Sequence, residues 1–363
     1  MERKIALLPG DGIGPEIIAE AVKSLKAVEE RFGHKFNFEY GKIGACAIEE
    51  FGNPYPHSTH KLCSESDAIL FGAIGSPLYD NNPHAKVRPE EGLLAMREQL
   101  GLFTNIRPIE IFDSLIERSP LKREYVEGLD IVIVRELTGG LYFGKPRGRE
   151  EGGTTAVDTC RYTTVEIERV AREAFKLALE RNRKVAREPK VTLVDKANVL
   201  ESSRLWREVV TKIHKEEFPS VELEMLFVDN ASMQLITAPT KFDIILTENM
   251  FGDILSDEAS VLTGSIGLIP SASYGSRVKL YEPIHGSYPQ AAGKGIANPI
   301  ATILSGAMML ESSFSLFKEG ELIREGVKKA IERNIVTPDL SSKSESYSTG
   351  QVGEFIANYL LSA

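Results

Sequence analysis

Asp253 and Asp257 stand four residues apart in NMFGDILSDEASVLTGSIGL (249–268), a segment with helical spacing, so both carboxylates project from one helix face. Neighbouring carboxylates repel unless a cation lies between them, and an all-oxygen set without His or Cys selects Mg2+ or Mn2+ over zinc. Most Asp pairs at this spacing are only solvated helix residues, and spacing alone favours that reading. Asp229, at the end of the apolar run LEMLFVD, is a third acid. It stands at a strand C-terminus, where open α/β sheets bind ligands, or caps the following helix. Arg97, Arg107 and Arg135 lie at the ends of apolar elements; guanidinium forks grip carboxylates in bidentate fashion, although a lone arginine is usually half of a surface ion pair. Tyr142 in GGLYFGK and Lys196 in VDKANVL are the candidate proton carriers. Side chains of these types titrate near ~10 when free, so either needs burial or a neighbouring cation to act at neutral pH. Outside such a setting Tyr142 is a hairpin aromatic and Lys196 a strand-end lysine.

Two glycine-bearing turns could approach a dinucleotide. GDGIGPE (10–16) has Pro15 where the Rossmann pattern GxGxxG needs its third glycine, and it lacks the lysine of a phosphate loop. A conventional Rossmann site is therefore not expected. EPIHGSYPQAAGKGIANP (282–299) holds Gly286, Gly293 and Gly295 beside His285 and Asn298, and reads as a structured loop before a helix or as a nucleotide clamp. Cys46, Cys63 and Cys160 have no CxxC spacing, which excludes a thiolate zinc site and a disulfide framework and suits a reducing cytoplasm.

The elements that must position these residues alternate along the chain. IALLP, AILFGAIG (68–75), LDIVIV (129–134), VTLVD (191–195), LEMLFVD (223–229), FDIILTE (242–248) and VKLYEP (278–283) read as strands. Helical spacing follows in Ile17–Phe32 and around 164–181, 203–217, 251–262, 298–317, 321–333 and 351–361, with Pro15 at a favoured first helical position. Strands that are apolar throughout belong to a sheet covered by helices on both faces, so the class is α/β. The Gly-, Thr- and aromatic-rich centre, from RELTGGLYFG to DTCRYT, predicts hairpins in an inserted second domain, and the serine-rich 340–350 a short loop. At 363 residues the chain is long for one compact unit. Its net charge of −9 and scattered basic residues disfavour nucleic acid, and no segment predicts a signal peptide or membrane span.

Together, LLPGDGIGPE, GLLAMREQLGLFTNIRP, RELTGGLYFG, DKANVLESSRLWRE, FVDNASMQL, TENMFGDILSDEAS, GSIGL and EPIHGSYPQAAGKGIANP resemble, in order, the β-decarboxylating dehydrogenases of isocitrate and 3-isopropylmalate. The resemblance implies a non-Rossmann, two-domain α/β fold with a mixed sheet. Residues 1–102 and 264–363 would form the larger domain with both termini and most of the cofactor site. Residues 103–263 would form a smaller one carrying the dimer interface and metal ligands. Arg97, Arg107 and Arg135 match positions that grip malate carboxylates, and Asp229, Asp253 and Asp257 match ligands of Mg2+ or Mn2+, Asp229 also meeting substrate. Ile13, Glu90, His285, Gly286, Ser287, Gln290 and Asn298 match cofactor positions. Lys196 and Asp229 reach into the neighbouring subunit's site in this family, which implies a homodimer. Leu93, Leu94 and Val199 match an apolar wall for an isopropyl group; Leu93 and Leu94 stand where isocitrate enzymes carry a hydroxylated residue.

Metal-assisted oxidation of the alcohol, with Lys196 accepting its proton and hydride passing to NAD, would precede loss of CO2 and protonation of the enol by Tyr142. Gln290 replaces the Asp common in NAD-specific relatives, so NAD is expected with weakened discrimination against NADP. Leucine biosynthesis in the cytoplasm is the implied setting. Other readings are oxidation of isocitrate, homoisocitrate or tartrate, a regulatory homologue without turnover, and a Mg2+-nucleotide phosphotransferase. The last is disfavoured because no GxxxxGK[ST] loop occurs.

Overall fold

The apolar runs and amphipathic segments fold, in a computed structural model that describes residues 1–82, 85–184, 187–341 and 346–363, into two compact units. One comprises Met1–Leu102 and Thr263–Ala363, the other Phe103–Leu262. The strands, in chain order, begin with β1 (Glu2–Gly10), β2 (Lys35–Tyr40), β3 (Ala68–Ala73) and β4 (Thr104–Glu110). Next come β5 (Asp130–Glu136), β6 (Gly148–Glu150), β7 (Thr155–Val157) and β8 (Lys190–Asp195). The last are β9 (Glu222–Phe227), β10 (Ile244–Thr247), β11 (Pro270–Tyr274) and β12 (Lys279–Pro283).

In the first unit the strands run β2-β1-β3-β12-β11, parallel except for the antiparallel β11–β12 pair. Strand β3, AILFGA, is buried along its whole length, as a strand flanked by helices on both faces must be. The helix Gly14–Phe32 packs against both Ile300–Phe314 and Thr349–Ser362, and the helices Gly14–Phe32 and Ile300–Phe314 also cover β3. Ile300–Phe314, the most apolar stretch, is buried almost all round and forms core. Among the described residues no helix is long and apolar enough to cross a membrane.

The second unit orders its strands β4-β5-β10-β8-β9, with only β4–β5 antiparallel, so the sheet is mixed in both units. Helices Thr164–Lys184 and Glu201–Glu217 pack together, burying Val170, Phe175, Trp206 and Val210, with Phe175 stacked on Phe218 at 5.2 Å.

Local expectations need correction at a few points. The helix after the first turn starts at Gly14, so Pro15 lies in its first turn but does not begin it. Asp229 does not end a strand. β9 stops at Phe227, and Asp229 lies in the first turn of the helix Val228–Thr237, whose N-cap position is Phe227. The central segment forms one short hairpin, β6–β7, but Tyr142 is outside it, on a 3-10 turn, Gly140–Tyr142. The aromatic-rich composition signals a turn without saying which kind. Of the serine-rich stretch 340–350, residues 342–345 lie outside the described residues.

Candidate active site

Antiparallel pairing of β4 with β5 sets Asn105 opposite Arg135 and Arg107 one alternation further along, so all three side chains leave the same sheet face. Arg107 and Arg135 are both buried, and a buried guanidinium is tolerated only with acceptors arranged round it. The helix Asn249–Val261 supplies most of them. Arg135 Nη1 donates to Asp253 Oδ1, and its Nε and Nη2 donate to Asn249 Oδ1 at 2.9 and 2.8 Å. Arg107 donates to Asn105 Oδ1 at 2.7 Å, Ser256 Oγ at 2.6 Å and Asp257 Oδ1 at 3.4 Å, with its Nη2 3.6 Å from Asp253 Oδ1. Tyr142 donates its hydroxyl proton to Asp253 Oδ2 at 3.0 Å, under the Arg135 guanidinium.

The charges in this cluster act on one another. Burial pushes the Asp257 carboxyl above the ordinary carboxylate range, Arg107 opposes that rise, and Asp253 adds to it. Burial, then the Asp253 charge, push the Tyr142 phenol up, so it keeps its proton at neutral pH and can donate it. Two carboxylates side by side, one already resisting ionisation, are relieved by a cation, and their oxygen-only donor set suits Mg2+ or Mn2+. Among the described residues of one chain no group of three His, Cys, Asp or Glu gathers to hold a metal, so Asp229 does not join this pair within the chain.

Asp229 instead pairs with Lys196, whose ammonium donates to its Oδ1 and holds the Asp229 carboxyl below the ordinary range. Lys196 follows β8 directly, and its backbone is tied down: its N–H donates to Ser203 Oγ at 3.1 Å, and its carbonyl accepts from Val199 and Leu200. Val199 is exposed. The helices Val228–Thr237 and Asn249–Val261, which touch, expose Met233, Ile236, Ile254 and Val261.

The first unit gathers a second group. Gly10 and Gly12 have positive φ, and a Cβ on Gly12 would lie 2.0 Å from the Ser287 carbonyl, to which Ile13 N–H donates at 2.9 Å. Buried Asp11 clasps this turn by accepting from the N–H groups of Ala45, Cys46 and Gly75. Glu90 and Ser287 both flank Gly75, and Glu16 accepts from Gly293 N at 2.6 Å and Gly295 N at 3.0 Å. Asn298 donates to Asp339 at 3.0 Å. His285 is held by the Gly286 carbonyl at 3.0 Å, and burial lowers its pKa, keeping the ring neutral. Its buried Nε2 has no partner, which fits a polar ligand group at this loop. Gln290 is exposed on the 3-10 turn Pro289–Ala291, and Gly286 is exposed as well. Leu93 and Leu94 lie half-buried on the helix Pro89–Leu100, from which buried Arg97 pairs with Glu282 at 3.1 Å.

Thus Arg107, Arg135, Tyr142, Asp253 and Asp257 converge, Lys196 and Asp229 form a separate pair, and the glycine turns come together as the remaining group. Sequence reasoning missed Asn249, Glu16 and Asp339. Each sits in or beside a motif it had marked, but a side chain whose role is to hold another gives no spacing signal.

Gly252 packs its Cα against Arg135: a methyl there would lie 2.7 Å from Arg135 Cγ and 2.8 Å from Cβ. Gly252→Ala gains about 1 kcal/mol of helix propensity but overpacks a rigid stem at about 1–3 kcal/mol, so a net fall in Tm is expected, read by thermal unfolding. An unchanged Tm would show this contact to be slack.

Compared with known proteins, residues 4–356 match the isocitrate/isopropylmalate dehydrogenase family. The chain is 55% identical to the 3-isopropylmalate dehydrogenase of Bacillus subtilis (strain 168), covering 100% of this chain and 98% of that one. It is 49% identical to the 3-isopropylmalate dehydrogenase of Bacteroides fragilis (strain YCH46), with both chains covered in full (100%). The crystal structure of isocitrate dehydrogenase from Methylococcus capsulatus is similar with TM-score 0.86 and 36% identity over 99% of each chain.

Proposed function

Because the chain belongs to the isocitrate/isopropylmalate dehydrogenase family, we propose that it oxidises and decarboxylates 3-isopropylmalate to 4-methyl-2-oxopentanoate and CO2, reducing NAD, in leucine biosynthesis. The observation that carries the residue assignment is the convergence of two buried arginines on Asp253, with the Tyr142 hydroxyl on the same carboxylate.

Arg107 and Arg135, with Arg97, bind the two carboxylates of the malate core, while Leu93, Leu94 and Val199 surround the isopropyl group. Asp253 and Asp257 of one chain, with Asp229 of another, would hold Mg2+ or Mn2+. When bound, that ion supplies Lewis acidity toward the alcohol and toward the negative charge that builds as CO2 departs. Lys196 takes the alcohol proton while hydride leaves for the nicotinamide ring. Tyr142, held protonated, returns a proton to the carbon that CO2 has left. Ile13, Glu90, His285, Gly286, Ser287, Gln290 and Asn298 bind the cofactor, the neutral His285 ring offering its unpaired Nε2.

The active form is a cytoplasmic homodimer with shared sites. Exposed Met233, Ile236, Ile254 and Val261 supply apolar area for the contact, and Lys196 and Asp229, apart from the Asp253 cluster in their own chain, serve the partner's.

Absorbance of reduced nicotinamide, with purified protein, divalent metal and 3-isopropylmalate, tests this directly. Turnover should vanish on chelation, and faster use of isocitrate would reject the substrate. Gln290 can hydrogen-bond ribose but has no charge to repel a 2′-phosphate, so kcat/KM should favour NAD over NADP by only about one order of magnitude. A preference for NADP would overturn the cofactor assignment.

A further inference from the structure

We infer that Asn249 is a positioning residue: its amide orients Arg135 without neutralising it, and the buried pair Glu248–Tyr162 fixes Asn249 in turn. This rests on the reading of Arg135 as a carboxylate-binding residue.

Arginine carries five N–H donors in a rigid fork, and two of Arg135's, on Nε and Nη2, end on the single oxygen Asn249 Oδ1. The amide cannot be turned round. Its Nδ2 donates to the Gly139 carbonyl at 3.0 Å, which only accepts, and the guanidinium only donates. Asn249 opens its helix, and its free backbone N–H donates to the Tyr162 hydroxyl oxygen at 2.9 Å. Tyr162 passes its own proton to Glu248 Oε2 at 3.0 Å, while Glu248 Oε1 accepts from Phe251 N–H at 2.8 Å as the helix cap. The side chain cannot swing: Trp206 meets the ring edge-on at 5.4 Å, a Cβ on Gly139 would lie 2.7 Å from its Cε1, and one on Gly140 2.2 Å from its hydroxyl oxygen. Arg135, Asn249, Tyr162, Glu248 and Trp206 are all buried.

The chemical type of the link matters. A carboxylate at position 249 would still offer the fork an acceptor, but its second oxygen would face the Gly139 carbonyl without a proton to donate, and it would add an anion to the one Asp253 already provides. Arg135 would then bring little positive charge to a substrate carboxylate. A neutral amide gives direction and leaves the charge available.

The test compares Asn249→Asp, Asn249→Ala and Tyr162→Phe with wild type, measuring kcat, KM for 3-isopropylmalate, KM for NAD and Tm. Asn249→Ala should raise substrate KM by about 10-fold and Asn249→Asp by about 100-fold, with NAD KM within about twofold of wild type. Tyr162→Phe keeps the ring and should raise substrate KM by about 2- to 10-fold, which keeps the test alive if position 249 variants fail to fold. A smaller effect from Asp than from Ala, or NAD KM rising in step with substrate KM, would overturn the inference. Wild-type protein inert toward 3-isopropylmalate would instead defeat the functional reading on which it stands.

Discussion

Asp253→Asn is expected to lower kcat by about three orders of magnitude. The change is nearly isosteric but removes the charge on which three groups converge: the guanidinium of Arg135, that of Arg107, and the Tyr142 hydroxyl. Arg135 is almost wholly buried, so it would lose its anionic partner where water cannot replace it. On the proposed assignment, the divalent ion would lose a ligand at the same stroke. Assays at saturating substrate with rising Mg2+ or Mn2+ separate these contributions, since excess metal recovers part of a binding defect but none of a misplaced arginine. A kcat within about tenfold of wild type would remove Asp253 from the metal site.

If Lys196 is the proposed acceptor of the alcohol proton, Lys196→Met should cost about 10^2- to 10^4-fold in kcat while leaving KM for substrate within a small factor, because that role acts on a proton in the transition state and not on the ground state. Its length is kept, and its partner Asp229 is 60% exposed, so the fold should not suffer. Mixing the two inactive variants gives a sharper result. If each site draws Asp253 from one chain and Lys196 from the other, half the random dimers contain one intact site, and activity should return to roughly a quarter of wild type. Mixtures that stay inactive after unfolding and refolding together would place both residues in the same chain's site.

Why some of this was legible beforehand follows from period. Asp253 and Asp257 announce a shared helix face because a helix repeats every 3.6 residues, and β3 announces burial because every residue is apolar. The edge strand β2, KFNFEY, escaped notice: Phe36, Phe38 and Tyr40 alternate with polar residues, but the run is short and half-solvated. Asp229 was misplaced because a strand end and a helix first turn differ by two residues, below the resolution of pattern reading. Long-range partners were invisible. Nothing local says that Arg135 will meet Asn249, or that Glu16 will accept from Gly293 and Gly295, because those contacts depend on which strands become neighbours.

Strand β3 lies between β1 and β12, and the turn after β1 closes on the Ser287 carbonyl. The opening hundred residues therefore emerge from the ribosome without β12, the second neighbour of β3, and without the apolar helix Ile300–Phe314 that covers them. Phe103–Leu262, continuous in sequence, can complete its core during synthesis, while the N-terminal stretch waits for translation to reach the far end. A premature stop between residue 262 and Ile300 would release a finished second unit tethered to an apolar N-terminal stretch with no lid, a substrate for chaperones and proteases.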